Sequence, residues 1–132
     1  MAGAIVNYKI YVIGGRNGLI DVDTAEMYDL ATGSWQSRSS MPTPRSSLTA
    51  NTVNGKIYAI GGESTDGSDI FATVEVYDPV NDTWFTKSST PTEQSSIASG
   101  VVDGKIYSIG GYDLNCLHLN TVEVYDPAAD IY

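Results

Sequence analysis

A short apolar run that ends in two glycines occurs three times in this chain, and no other feature constrains the fold as strongly. The second copy, residues 55–62, reads Gly-Lys-Ile-Tyr-Ala-Ile-Gly-Gly. The glycine pairs are Gly14-Gly15, Gly61-Gly62 and Gly110-Gly111, so the spacing is 47 residues (14 to 61) and then 49 (61 to 110). Such a period is typical of chains built from stacked copies of one supersecondary unit.

Aromatic residues recur with the same period. A tyrosine followed by aspartate stands at Tyr28, Tyr77 and Tyr125, and a later aromatic position holds Trp35, Trp84 and Tyr132. Their large apolar areas indicate that they pack between adjacent units. The ordered set of Gly-Gly, Tyr-Asp and Trp resembles the kelch repeat along essentially the whole chain. The resemblance implies four-stranded blades of a β-propeller, about 50 residues each. We expect repeats at 1–45, 46–94 and 95–132, the last truncated in its final strand.

The residues themselves predict an all-β chain with four short antiparallel strands, a to d, in each repeat. In the second repeat we expect strand a at Ser46–Val53, strand b at Lys56–Ile60 and strand c at Thr73–Asp78, with strand d from Thr83. In the third repeat we expect strand a at Ser95–Val102. Asn54-Gly55 between strands a and b is a strong signal for a two-residue hairpin turn. Apolar residues nowhere recur at helical spacing, so no helix is expected.

The first repeat departs from this pattern at one turn. Tyr8 follows Asn7 where glycine follows Asn54 and Asp103. Because a bulky residue is strained at positive φ, we expect the turn at Asn7-Tyr8 to take another form. The first repeat is therefore expected to be the least regular of the three.

Three blades are too few to close a propeller, which usually has about four to eight. Two arrangements would supply the others. Two copies of the chain related by a two-fold axis would form a homodimer with six blades in one ring, which makes this chain half of a six-bladed propeller. Alternatively, the chain is an excerpt of a longer protein that carries the remaining blades.

Composition excludes several classes of function. The formal net charge is −9, from 16 acidic and 7 basic residues, and no cluster of Lys and Arg exists to bind nucleic acid. Apolar runs are too short to cross a membrane. Cys116 is the only cysteine, which excludes an internal disulfide and fits a reducing compartment such as the cytoplasm.

The connections between strands b and c differ among the repeats, although the strands agree. They span Arg16–Asp23, Glu63–Ala72 and Tyr112–Asn120, and antiparallel topology places them on one face with the d–a connections. Variable loops on a repeated framework indicate a scaffold that presents a surface, and the resemblance implies that this face binds partners. The predicted binding residues are Arg16, Asp21, Asp23, Arg38, Arg45, Glu63, Asp66, Asp69, Phe71, Tyr112, Asp113, Leu117 and His118.

Most charged residues of the b–c loops are acidic, and apolar residues lie between them. This favours a non-enzymatic interaction module whose protein or peptide partner carries basic residues. The competing interpretation is that these are solvated loops whose apolar residues pack against the blades. Glu75 and its equivalents Glu26 and Glu123 recur two residues before each tyrosine, and we expect them to hold structural hydrogen bonds to residues such as Arg45.

The sequence argues against catalysis and against a bound metal or cofactor. Cys116 and His118 share a loop, but no second His or Cys completes a metal site. Glu63, Asp66 and Asp69 do not match the spacing of a calcium loop. The resemblance leaves an enzyme alternative, a fragment of a kelch-type carbohydrate-active enzyme such as a sialic-acid epimerase. That alternative needs convergent Arg, His or Glu side chains, and the chain has three arginines and one histidine.

Overall fold

The computed structural model describes all 132 residues as an all-β chain, which confirms the predicted fold class. It contains no helix that could span a membrane. The thirteen strands are β1 Ala2–Val6, β2 Lys9–Ile13, β3 Arg16–Asn17, β4 Ile20–Asp21, β5 Ala25–Asp29, β6 Ser34–Arg38, β7 Thr49–Val53, β8 Lys56–Ile60, β9 Val74–Asp78, β10 Thr83–Lys87, β11 Ala98–Val102, β12 Lys105–Ile109 and β13 Val122–Tyr125.

The strands form three successive antiparallel sheets that follow chain order, interrupted only by the β3–β4 hairpin between β2 and β5. The first sheet has the order β1-β2-β5-β6, and the second has the order β7-β8-β9-β10. The third sheet contains β11, β12 and β13, and beyond them only a bridge between Asp126 and Ile131. Strands β3 and β4 form a separate two-stranded hairpin in the first b–c loop. Two sheets are thus complete four-stranded blades and the third has three strands.

The first strand of the second and third sheets begins later than the sequence predicts. Strand β7 starts at Thr49 and β11 at Ala98, whereas Ser46 and Ser95 form only isolated bridges. Ser47 and Ser96 explain the difference, because each has a φ of +54°, which interrupts an extended ladder. The expectation of continuous strands from Ser46 and Ser95 was therefore wrong by three residues in each case.

The turn at Asn7-Tyr8 also differs from expectation. Asn7 has a φ of +48° and Tyr8 a φ of +60°, so both central residues are left-handed. Asn54 and Gly55 have the same signs, at +49° and +73°. Strands β1 and β2 pair in full from Ala2 opposite Ile13 to Val6 opposite Lys9. The register of this hairpin therefore holds Tyr8 in the left-handed conformation despite its side chain.

Replacing Tyr8 by glycine is expected to stabilise the protein. The left-handed conformation costs a non-glycine residue about 1–2 kcal/mol, and the Tyr8 side chain is 87% exposed, so little packing is lost. After the entropy cost of glycine is subtracted, we expect the free energy of unfolding to rise by roughly 0.5–1 kcal/mol in urea titrations. The reciprocal change Gly55→Tyr should lower it, and a loss of stability in Tyr8→Gly would contradict the assignment of the turn.

Two apolar cores lie between the sheets. One side of the first sheet packs Tyr11, Ile13 and Met27 against Ile57 and Tyr77 of the second sheet. The other side of the second sheet packs on the third in the same way, around Ile60, Val74, Val76, Ile106 and Tyr125. Tyrosine rings pack against each other across both contacts between sheets. The ring centroids of Tyr11 and Tyr77 lie 5.8 Å apart, and those of Tyr58 and Tyr125 lie 5.9 Å apart. The sheets are therefore stacked face to face as successive blades.

Each outer sheet leaves one apolar face uncovered. Trp35 pairs with Tyr28 across β5 and β6 and is 56% exposed, although its equivalent Trp84 is partly buried. On the third sheet, Ile109 and Val122 are exposed where the equivalent Ile60 and Val74 of the second sheet are buried. The apolar residues on these two uncovered faces occupy the same repeat positions as residues that a neighbouring sheet covers in the second sheet. The completion of a six-bladed ring by a second copy stays a prediction.

Arg45 and Glu75 form a buried ion pair beneath the loops. Arg45 Nη1 donates to Glu75 Oε2 at 2.8 Å, and Nη2 donates to the carbonyl of Ala59 at 3.2 Å. Both side chains are inaccessible to solvent. Gln94 donates to Glu123 at 3.0 Å in the third sheet, whereas Glu26 is exposed. The structural role predicted for this glutamate position is confirmed in the second and third sheets.

Candidate functional site

The glycine pairs set the position of the residue that follows them. Gly61 and Gly62 have φ values of +65° and +108°, and the N–H of Gly62 donates to the carbonyl of Gln94, which leads into the third sheet. Gly14-Gly15 and Gly110-Gly111 have similar conformations. The chain therefore leaves each sheet at the equivalent repeat position. Arg16, Glu63 and Tyr112 each directly follow a glycine pair and begin the three b–c loops.

Glu63 connects the second sheet to the third. Its Oε2 accepts hydrogen bonds from Tyr112 Oη at 2.5 Å and from Ser95 Oγ at 3.1 Å, and its Oε1 accepts one from Ser47 Oγ at 2.8 Å. Burial raises the pKa of Glu63, but these three donors and the charge of Arg16 outweigh burial and hold the pKa below its ordinary value. Glu63 is therefore a fixed anion at the second contact between sheets.

Arg16 makes the corresponding connection between the first sheet and the second. Its Nη2 donates to Ser46 Oγ at 3.3 Å and to the Ser64 carbonyl at 3.4 Å. Strands β3 and β4 place Asp21 directly opposite Arg16, and Arg16 Nε donates to Asp21 Oδ1 at 3.1 Å. The backbone N–H of Asp21 donates to Thr65 Oγ1. The first two b–c loops are thereby tied together through polar groups.

An acidic groove lies between the first and second b–c loops. Asp21, Asp66 and Asp69 line it together with Ile20 and Pro44, and its volume is about 390 Å³. The pKa of Asp66 is lowered to about 2, first by hydrogen bonds from the backbone and side chain of Ser68 and then by Ser64. The groove therefore carries negative charge throughout the physiological pH range.

A second groove of similar character lies beside the third b–c loop. It is lined by Pro91, Glu93, Asp113 and Leu114, among others. Asp113 Oδ1 accepts the backbone N–H groups of Leu117 at 3.0 Å and of Asn115 at 2.9 Å, and these bonds lower the pKa of Asp113. Carboxylates therefore line one groove between the first two b–c loops and another beside the third.

The tips of the first and third b–c loops expose large apolar side chains. Their exposed fractions are 88% for Leu19, 63% for Ile20, 50% for Leu114 and 62% for Leu117. Single exposed apolar residues are common on proteins, but Ile20 lines the first acidic groove and Leu114 lines the second, and Leu19 and Leu117 belong to the same two loops. We call Leu19, Ile20, Leu114 and Leu117 the apolar tips.

The structure places the predicted binding residues in different environments. Arg16, Asp21, Glu63 and Tyr112 belong to the polar connections, Asp66, Asp69 and Asp113 line grooves, and Leu117 and His118 are exposed on the third loop. Asp23 and Phe71 are partly buried, and their carbonyls accept backbone N–H groups of Met41 and Gln94.

Two arginines lie away from this surface. The prediction that Arg45 is a loop-face binding residue was wrong, because its side chain is fully buried against Glu75. Arg38 lies at the end of β6, where its Nη2 donates to Gln36 Oε1 of the same strand at 3.3 Å, so it does not join the loop cluster. The packing of neighbouring sheets, rather than position along the loop, decides where both side chains lie.

Sequence reasoning missed several residues of this surface. Leu19 and Leu114 stand in the middle of polar loops, and that position alone was a usable signal. Ser46 and Ser95, which bond Arg16 and Glu63, recur at one repeat position before strand a. Cys116 and His118 are both exposed, and no group of three or more His, Cys, Asp and Glu could hold a metal ion.

Stacked antiparallel sheets joined in chain order, with variable loops gathered at one end, define blades of a β-propeller. The whole chain, residues 1–132, matches the family model described as the KLHDC2/KLHL20/DRC7 Kelch-repeats domain. The chain belongs to the kelch-repeat family.

Three curated relatives show how far the similarity extends. Kelch-like protein 7 of Homo sapiens is 36% identical over 62 residues, which cover 47% of this chain and 10% of that protein. Kelch-like protein 40 of Xenopus laevis is 39% identical over 57 residues, 43% of this chain and 9% of that protein. Kelch-like ECH-associated protein 1B of Danio rerio is 35% identical over 66 residues, which cover 47% of this chain and 11% of that protein. The matched segment spans about a tenth of these relatives.

Proposed function

We propose that this chain is a protein-binding module that holds a peptide segment of its partner on the loop face. The observation that carries the proposal is that the loops bearing the four exposed apolar tips also line two acidic grooves, Ile20 in the first and Leu114 in the second. Exposed apolar anchors surrounded by polar groups are typical of interaction surfaces. Membership of a family whose relatives include Kelch-like ECH-associated protein 1B supports a role in binding proteins.

The loop face is built on a rigid framework, which supports binding with little loss of conformational freedom. Arg16 bonds across the first contact between sheets, and Tyr112 and Ser95 bond Glu63 across the second. Loops that are already held in place lose less conformational entropy when a ligand binds. The variable loops can therefore present a fixed surface even though they differ in sequence.

The chemistry of this surface favours a partner segment with basic and apolar residues. Carboxylates line both grooves, and Arg16, the arginine closest to them, is engaged by Asp21 and Ser46. Complementary charge accelerates association and selects the partner, while apolar contacts at the tips supply much of the affinity. The burial of Arg45 against Glu75 also supports a non-enzymatic role, because it removes one of the three arginines that a carbohydrate-active site could use.

Panning a random twelve-residue peptide library against the chain tests this function. We expect enriched peptides to combine basic and apolar residues. Replacing Leu19, Leu114 and Leu117 together by serine should weaken their binding at least 10-fold in fluorescence anisotropy, because three exposed anchors are lost. The melting temperature should stay nearly unchanged, since none of the three is buried.

Val80→Ser is the matched control. Val80 is an equally exposed apolar residue, but it lies in the turn between β9 and β10 rather than in a b–c loop. Binding of the enriched peptides should be unaffected by this change. The proposal is wrong if no peptide is enriched, or if the serine triple variant binds the enriched peptides as well as the unmodified chain does.

A further inference from the structure

A cavity of about 500 Å³ lies where the second sheet meets the third, away from the b–c loops. Residues of β8, β9 and β10 line it together with Pro127, which follows β13. Asn54, in the a–b turn, also lines it, and antiparallel topology places the a–b and c–d turns at the end of the sheets opposite to the b–c loops. The volume lies within the range of small-molecule sites in proteins. The cavity is therefore a separate candidate site, independent of the function proposed for the loop face.

Tyr58 brings to this cavity a hydroxyl group that the protein itself does not use. The residue is only 6% exposed, and its hydroxyl makes no hydrogen bond within the chain. Buried tyrosine hydroxyls usually have a partner. The oxygen is still accessible to solvent, unlike the buried and unpartnered hydroxyl of Tyr132. Burial, and then the charge of Asp130, raise the pKa of Tyr58, so the hydroxyl stays protonated and can donate to a ligand.

The charged residues of the cavity wall are all cationic. Lys56 and Lys87 line the cavity, and no acidic residue does. Lys56 is paired with Asp78 at 3.3 Å and Lys87 with Asp130 at 3.5 Å, while 44% and 32% of the two lysine side chains stay exposed. An ammonium group has three N–H donors, so one carboxylate partner leaves donors free for a ligand. The cavity thus favours an anionic ligand that is rich in hydrogen-bond acceptors.

The rest of the wall is largely apolar and includes an aromatic ring. Val76 pairs with Tyr58 on one side and with Phe85 on the other, so these three side chains lie next to each other on one face of the sheet. Lys56 Nζ lies 5.9 Å from the centroid of the Phe85 ring. Pro127 adds an apolar surface from the third sheet. A flat apolar group would find contacts here close to the two cations.

The first sheet does not repeat this site. Tyr11 and Lys9 stand at the equivalent repeat positions, but neither lines a cavity. Gln36 replaces the aromatic residue of the wall, and Lys9 is held by Asp29 at 2.7 Å. The combination of a free hydroxyl, loosely paired lysines and an aromatic wall is therefore specific to the second sheet, and the first sheet supplies matched controls.

We propose that this cavity binds a small organic carboxylate with a flat apolar body. The carboxylate accepts a hydrogen bond from the Tyr58 hydroxyl, and the ammonium groups of Lys56 and Lys87 balance its charge. The apolar body packs against Phe85 and Pro127. Charge-assisted hydrogen bonds hold one end of such a ligand, and burial of apolar area holds the other.

Titration of the ¹⁵N-labelled chain with 3-phenylpropionate, followed by NMR, tests the proposal. The matched uncharged probe is 3-phenylpropanamide, which has the same size and lacks the charge. We expect saturable shift changes of the backbone amides of residues 54–58 and 85–87 with the acid. The amide should bind about 10-fold more weakly, because hydrogen bonds to a charged group are the stronger ones.

Tyr58→Phe removes only the hydroxyl and should weaken binding of the acid about 10-fold. The melting temperature should not fall, because this hydroxyl bonds nothing within the protein. Tyr11→Phe is the matched control, and it should leave the affinity unchanged because Tyr11 lies outside the cavity. Lys56→Gln and Lys87→Gln should each weaken binding of the acid and leave binding of the amide unchanged.

Three results would overturn the proposal. The first is the absence of saturable shifts, or shifts centred on the b–c loops. The second is equal affinity for the acid and the amide, which would mean that the two lysines do not select an anion. The third is a Tyr58→Phe variant that binds the acid as well as Tyr11→Phe does, which would mean that the Tyr58 hydroxyl does not contact the ligand.

Discussion

Replacing Arg45 by alanine is expected to lower the free energy of unfolding by about 3–5 kcal/mol, the usual cost of leaving a buried charge without its partner. Glu75 would remain inaccessible, with only Thr43 Oγ1 at 2.8 Å as a side-chain donor. The carbonyl of Ala59 would also lose its bond to Arg45. Because small domains are stable by only about 5–15 kcal/mol, urea titration should show a large shift of the midpoint.

Glu26→Gln is the matched control for this prediction. Glu26 occupies the same repeat position as Glu75 but is exposed, so its replacement should change the stability by less than about 0.5 kcal/mol. A double variant, Arg45→Met with Glu75→Leu, should recover most of the loss, because apolar residues of similar size often replace a buried ion pair without cost. A loss below about 1 kcal/mol in Arg45→Ala would show that the pair is not buried.

Gly62→Ala should be comparably damaging, for a different physical reason. A methyl group on Gly62 would lie 2.5 Å from the carbonyl oxygen of Ser46, and the φ of +108° is one that alanine rarely adopts. Backbone strain and overpacking each cost about 1–3 kcal/mol, so we expect a total loss of roughly 3 kcal/mol or more. Urea titration and the melting temperature measure it.

Gly55→Ala separates the two contributions. Gly55 has a φ of +73°, but a methyl group there would meet nothing within 4 Å. Only the conformational cost remains, about 1–2 kcal/mol. Equal losses in the two variants would mean that the contact with Ser46 does not constrain Gly62.

The strands and turns of this protein could be predicted because their signals are local. The apolar pattern of β8, the turn at Asn54-Gly55 and the glycine pairs are all read from a few adjacent residues. The period also places Arg16, Glu63 and Tyr112 at equivalent positions, so their alignment follows from the sequence.

The environment of Arg45 and Asp21 could not be predicted in this way. Arg45 stands in a polar connection that looks solvated, and its burial depends on how two sheets pack. The hydrogen-bond pattern of Asp21 depends on how Arg16 divides its donors between Asp21 and the second sheet, which the sequence does not specify. Ser47 shows the same limit, because no local signal marks its positive φ.

Each sheet of this protein contacts only the sheets next to it in the stack. Some of the residues that join the first sheet to the second, such as Asp21 and Thr65, also line the acidic groove between the first two loops. At the outer edge, Trp84 Nε1 donates to the carbonyl of Ser39 at 2.7 Å, and Asp82 accepts the N–H of Ser39 at 3.0 Å. At the loop end, Arg16 and Asp21 join the first sheet to the second. A ligand seated between the first two loops would hold both sheets at once. Binding there and mechanical cohesion of the stack are therefore thermodynamically linked, and each strengthens the other.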